Sequence, residues 1–155
     1  MRARDIAEDY PLVQLSDDAL DVARLMAEER RPGVVIVDEA GHPVTVLPGS
    51  QVLRFLVPGY VQDDPSLARV FGEQSAAEAC VDKLRRRPVR ELLASKERRS
   101  ELAQVPGDAT VMECAATMAR LHSPLLVVSD GDVVHGVITS SHLLHMLLGA
   151  PGPPG

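Results

Sequence analysis

The side chains best suited to chemistry lie near the C-terminus, where Thr139, Ser140, Ser141 and His142 are consecutive and His145 follows three residues on. A hydroxyl beside an imidazole suggests a nucleophile with its base, and two imidazoles three apart on a helix share a face that could hold a metal. Neither idea gathers support. Adjacent residues do not place an oriented base against a nucleophile, and the chain has no Gly-x-Ser-x-Gly elbow, no Gly-Lys-Ser or Gly-Lys-Thr phosphate loop and no His-Glu-x-x-His motif. No carboxylate or cysteine joins His122, His135, His142 and His145 in a recognisable ligand pattern, and His42 falls in a turn. The sequence therefore points to no catalytic residue and no metal site. Arg30 and Arg31, just before Pro32, are the other candidates: guanidinium groups suit phosphate, although cations are also favoured at a helix C-terminus.

Composition narrows the partners. The net charge is −6, and 10 of the 22 acidic residues precede residue 40 while 8 of the 16 basic ones lie between Lys83 and Arg99. The acidic balance and the lack of aromatic residues within that basic run argue against nucleic acid. The run reads as a solvated helix face or connector. Cys80 and Cys114 have neither metal-type nor disulfide-framework spacing, and Cys114 sits among small residues as a buried thiol would. A reducing cytoplasm is the expected setting. The N-terminus lacks the apolar stretch of a signal peptide, and the longest apolar runs fall far short of a span of about 20 residues, so no membrane insertion is expected.

The elements that must position these residues occur twice. "ALDVARLMAEERRPGVVIVDEAGHPVTV" and "VMECAATMARLHSPLLVVSDGDVVHGVI" align at an offset of 92, with Ala23 answering to Ala115, Met26 to Met118, Pro32 to Pro124 and Asp38 to Asp130, and at 91 beyond the turn. This exceeds the roughly 20–50 residues of a solenoid period, so the chain holds two similar halves with a cleft between them. Each copy reads strand, helix, strand, strand, helix. In the first, residues 11–15 are extended, Ser16, Asp17 and Asp18 supply a helix cap, and Leu20, Ala23, Met26 and Ala27 mark its buried face. Residues 34–37 and "PVTVL" form a hairpin, and Ser50 can cap a short helix. In the second, residues 102–105 lead, Asp108 or Thr110 caps a helix faced by Val111, Ala115, Met118 and Ala119, and Thr139 or Ser140 caps the last helix. "ARDIAED" and "PVRELLA" precede the two leading strands, Pro88 starting the latter as a helix. Residues 60–87 are read as a helical insert, with Phe55, Tyr60 and Phe71 packing it against the first copy. The expected division is 1–59 for the first copy, 60–87 for the insert, 88–149 for the second copy and 150–155 for a disordered tail.

The helix "ALDVARLM" leading to "GVVIVDEAG", and "TVMECAATMARLHSPLLVVSDG" leading to "GVITSSHLL", together resemble a tandem pair of cystathionine-β-synthase (CBS) domains, a Bateman module, over residues 1–149. The resemblance implies an α/β (α+β) fold of two pseudo-twofold-related β-α-β-β-α repeats. It also implies a regulatory module that holds AMP, ATP or S-adenosylmethionine between its repeats and transmits binding to a separate effector protein. In such repeats a Gly, two apolar residues, Thr or Ser, two further residues and an Asp close the unit, with the hydroxyl on phosphate or ribose and the Asp on the ribose hydroxyls.

Here Gly136, Val137, Ile138 and Thr139 match, but His142 stands at the Asp position; in the first copy Thr45, Pro48 and Gln51 replace Gly, Thr and Asp. Gln51 and a neutral His142 could each accept one hydrogen bond, which is weaker than a bidentate carboxylate. By the resemblance the candidate ligand residues are Thr139, His142, Ser123, Pro124, Gly136, Arg31, Pro32 and Gln51. The helix from Ser140 would aim its amides at the same cleft. The alternative is a ligand-free dimerisation or interaction module with decayed sites. A homodimer is expected through "SQVLRFL" and "SSHLLHMLL", since Leu143, Leu144, Met146, Leu147 and Leu148 cover more than one face of a short helix.

Overall fold

The computed structural model describes residues 1–93 and 101–149, so the tail expected at 150–155 lies outside the described residues. A short helix α1 (Ala3–Ile6) opens the chain. The first copy runs β1 (Leu12–Gln14), α2 (Ala19–Glu28), β2 (Gly33–Val37), β3 (Pro43–Pro48) and α3 (Gly49–Leu56). The insert holds α4 (Gly59–Asp63), a 3-10 turn over Pro65–Val70 and α5 (Glu73–Leu84). A second 3-10 turn, Val89–Leu92, precedes β4 (Gln104–Val105), α6 (Val111–Leu121), β5 (Leu125–Asp130), β6 (Val133–Thr139) and α7 (Ser140–Leu148).

Among the described residues the strands form two three-stranded sheets, ordered β1-β2-β3 and β4-β5-β6. In each the leading strand is parallel to the middle one, which is antiparallel to the last. The expected mixed α/β architecture with two repeats is the one observed. All of Gly33–Val37 and residues 125–128 are buried, as continuous apolar runs covered on both faces require. Asp18 rather than Ser16 caps α2, accepting from the Asp21 amide at 3.1 Å, and Thr110 caps α6. Ser50 caps nothing: α3 already begins at Gly49, with Pro48 at its cap.

The two copies repeat even their irregularities. Arg30 and His122 end α2 and α6 in left-handed conformation, at φ 53 and 50, a geometry that costs a non-glycine residue roughly 1–2 kcal/mol. Behind each, the next amide reaches back to a methionine carbonyl: Arg31 to Met26 at 2.9 Å and Ser123 to Met118 at 3.2 Å. The hairpins slip register at the same place, between Ile36 and Val37 and between Val128 and Ser129.

The leading segments cross over. Ala3 and Ile6 are buried with Val105, Ala109, Met118, Ile138 and Leu143 of the second half. Val89, Leu92 and Leu93 are buried with Val13, Val22, Met26, Ile36 and Leu47 of the first. The backbone bonds match: Ala3 N to Ala109 O and Val89 N to Asp17 O, both 2.8 Å, then Arg4 N to Gly107 O at 2.9 Å and Arg90 N to Leu15 O at 3.0 Å. Sequence order and packing order therefore differ, since each half completes its core with the segment that precedes the other half's leading strand. A third cluster of Val35, Val37, Leu125, Val127 and Val137, with Tyr10, Val46, Leu102 and Val134 at its edge, joins the two sheets.

The insert docks through Leu84, which enters the first core. Phe55 packs there as expected, with Lys83 Nζ 5.0 Å and the Arg87 guanidinium 5.7 Å from its ring centre. Tyr60 and Phe71 do not: they are 58% and 44% exposed. Their aromatic type suggested burial, but the Pro65–Val70 turn that separates them buries none of its residues.

Candidate functional site

Thr139 ends β6 and stands at the N-cap of α7, where its hydroxyl accepts from the His142 amide at 3.2 Å and lies 3.3 Å from Ser141 Oγ. That cap fixes His142 on the first turn of α7. What faces His142 comes from the other end of the chain. Residues 7–10, between α1 and β1, run beside β6: Glu8 N donates to Val137 O and Val137 N to Glu8 O, both at 2.9 Å. Gly136 makes this approach possible. Its φ is +147, and a Cβ there would stand 2.5 Å from Glu8 O, so only glycine fits. Pinned in this way, Glu8 carries its Oε1 to 3.2 Å from His142 Nδ1, with side chains 61% and 29% exposed respectively.

Two residues further on, Tyr10 packs at the edge of the sheet-to-sheet cluster that contains Val137. Its phenol donates to Gly33 O at 2.8 Å, and burial pushes its pKa above the usual value despite the nearby cation, so it is a neutral donor at pH 7. The Arg31 guanidinium lies over the Tyr10 ring at 4.4 Å and pairs with Glu29 at 3.0 Å. Segment 8–10 is thus contacted by Gly136 and His142 of the second copy and by Arg31 of the first.

The remaining candidate residues lie elsewhere. Pro32 and Pro124 play one role twice, Pro32 O accepting from Gly49 N at 2.9 Å and Pro124 O from Ser140 N at 3.1 Å. Each proline thereby ties the start of a middle strand to the start of its terminal helix. Ser123 donates to Leu125 O at 2.7 Å, and with Pro124 it lines a groove of about 530 Å³ between α6 and α7 whose other walls include Met118, Leu143, Leu144 and Leu147. Gln51 is buried, 6% exposed, and its Nε2 donates to Leu92 O at 3.1 Å. The first-copy counterpart of His142 is therefore engaged with a crossing leading segment, as His142 is with Glu8.

Sequence reasoning missed Glu8 and Tyr10. The only signal available was the repeat itself: "ARDIAED" matches "PVRELLA", and a paired crossover would bring Glu8 to the second half. Among the described residues no three His, Cys, Asp or Glu side chains gather so as to hold a metal ion, and no helix is long and apolar enough to cross a membrane.

Comparison with known proteins adds to this geometry. The family model for the CBS domain matches residues 89–149. No curated protein matches the chain. Among solved structures, a CBS domain-containing protein of unknown function from Kribbella flavida is 49% identical, with TM-score 0.82 over 96% of this chain and 99% of its own. The CBS domain of a CBS domain-containing membrane protein from Sphaerobacter thermophilus is 24% identical, with TM-score 0.69 over 96% and 88%. CBSX2, crystallised in complex with AMP, is 16% identical, with TM-score 0.64 over 96% of each chain.

Proposed function

The chain belongs to the CBS-domain family, and on that premise we propose that it is a regulatory CBS-pair module binding one adenosine-containing ligand of the AMP, ATP or S-adenosylmethionine class. The ligand sits where segment 8–10 meets the β6–α7 junction. The observation that carries this reading is the convergence of side chains from both copies on that segment: Glu8 against His142 at 3.2 Å, and Arg31 on Tyr10 at 4.4 Å. Thr139 offers its hydroxyl at the positive end of α7, and Arg31 offers a guanidinium for phosphate. The AMP-bound neighbour supports the ligand class. The first-copy site is closed in this proposal, since Pro48 has neither hydroxyl nor amide hydrogen and Gln51 already serves Leu92 O.

A ligand held between elements of both copies changes their relative packing only by its differential affinity for the packed states, and that difference biases a partner protein. The same proposal places the module in the cytoplasm, in keeping with its free Cys80 and Cys114. The test is thermal unfolding with AMP, ATP or S-adenosylmethionine. A ligand at 100 times its dissociation constant adds about 2.7 kcal/mol, a rise of several degrees, and Arg31→Ala reduces the rise for the phosphate-bearing ligands. Unchanged unfolding with all three overturns the reading.

A second reading concerns assembly and rests on the groove between α6 and α7, where Leu144 is 54% exposed, with Leu148 79% exposed at the end of α7. In it two copies pair through these helices, whose groove is lined by neither Glu8 nor His142.

A further inference from the structure

We propose that Glu8 is the acceptor for the ribose hydroxyls of the bound ligand, so that the first copy supplies the carboxylate that α7 of the second does not carry. This rests on the reading of the cleft as an adenosine site. A carboxylate recognises a vicinal diol because its two oxygens lie in one plane and each accepts a hydrogen bond, a charge-assisted contact stronger than a neutral one.

Glu8 meets the requirements of such an acceptor. Its backbone is held on both sides by Val137 at 2.9 Å, so the base of the side chain has no freedom to drift. Its Oε1 is oriented by His142 Nδ1 at 3.2 Å, while the side chain stays 61% exposed and open to a ligand. A neutral His142 that donates from Nδ1 leaves Nε2 as an acceptor, adding a contact to the same sugar. Within the leading segment Asp5 is spoken for, accepting from Arg2 N at 2.8 Å.

The alternative is that the Glu8–His142 contact only braces the first turn of α7 and occupies the site. Isothermal titration of the full chain with AMP and 2′-deoxy-AMP separates the two. The wild type is expected to bind AMP about tenfold or more tightly than 2′-deoxy-AMP, as expected for one charge-assisted hydrogen bond. In Glu8→Gln, AMP affinity falls about tenfold or more, the preference for AMP largely disappears, and 2′-deoxy-AMP loses less, since the amide oxygen of the glutamine still accepts from its 3′-hydroxyl. That last titration, together with unaltered circular dichroism, certifies that the variant is folded.

Equal wild-type affinity for the two nucleotides overturns the inference without recourse to any variant. Unchanged discrimination in Glu8→Gln overturns it as well, and tighter AMP binding by Glu8→Gln identifies the side chain as a plug instead. In all three cases the cleft remains an adenosine site. Absence of binding by the wild type to AMP, ATP and S-adenosylmethionine removes the adenosine reading itself, and the role of Glu8 with it.

Discussion

Gln51 donates its side-chain amide to the carbonyl oxygen of Leu92 at 3.1 Å, inside the first half's core. The contact fastens α3 to a segment that arrives from beyond the insert. Gln51→Leu removes the donor and leaves a buried carbonyl without this partner, a change that costs about 1–3 kcal/mol. At roughly 2–4 °C per kcal/mol for a chain of this size, thermal unfolding is expected several degrees lower. Gln51→Asp falls further, since a carboxylate there faces a carbonyl and has no proton to donate. A Gln51→Asp protein as stable as wild type refutes this account of the first half.

The crossover makes each half depend on the other's leading segment. Ile6→Ala opens a cavity among Val105, Met118 and Ile138 and is expected to cost about 2–5 kcal/mol. Hydrogen exchange should locate the damage. Protection is lost first at residues 126–128 and 137–138 and least at residues 34–36, although Ile6 belongs to the first copy by sequence. Equal loss in both sheets counts against the packing described.

His42 provides a pH-dependent bond between the two hairpins. Its Nε2 lies 2.6 Å from Asp132 Oδ1 and its Nδ1 3.6 Å from Asp38 Oδ2. The hydrogen bond to Asp132, then the charge of Asp38, raises the imidazole's pKa above its usual value. A group whose folded pKa is raised contributes fully below its unfolded pKa, about 6.5, and loses that contribution as pH rises through the folded value. The unfolding temperature of wild type should therefore decline slightly more between pH 6 and pH 9 than that of His42→Gln. The exposed setting keeps the difference small. Parallel pH profiles exclude the imidazolium bridge.

Assembly can be read directly. Light scattering at micromolar concentration is expected to give twice the 16.7 kDa chain mass, and Leu144→Glu with Leu147→Glu, both on the groove between α6 and α7, is expected to return the monomer. A wild-type monomer eliminates pairing through these helices. Because Glu8 and His142 do not line that groove, the double variant should keep its ligand response.

The repeat made most of the fold legible. Periods of helix and strand recur 92 residues apart, and the structure returns both the elements and their order. The crossover was not legible, because the apolar positions in "ARDIAED" and "PVRELLA" reveal a buried face without revealing which sheet covers it. Tyr60 and Phe71 misled for a related reason: an aromatic side chain announces apolar area, but burial needs a partner surface, and the short turn between them supplies none. Gln51 stood as a candidate ligand residue by the resemblance; that its amide donates to a backbone carbonyl is something no residue type reports. The β6–α7 junction was readable from "GVIT" and its following helix. Glu8 was not, since a single glutamate in a polar stretch has no periodicity to mark it.

The exchange of leading segments also bears on how the chain is made. Glu8 pairs with Val137, about 130 residues later, and ribosomes elongate at about 5–20 residues per second. For roughly 6–26 seconds at those rates the nascent chain carries Ala3 and Ile6 with no site to receive them. The first sheet, meanwhile, waits for Val89 and Leu92 before its own interior is closed. Synthesis is therefore uneven: the first core holds all its members once Leu93 has emerged, whereas the second must take back Ala3 and Ile6, the residues made first, after its own strands are complete.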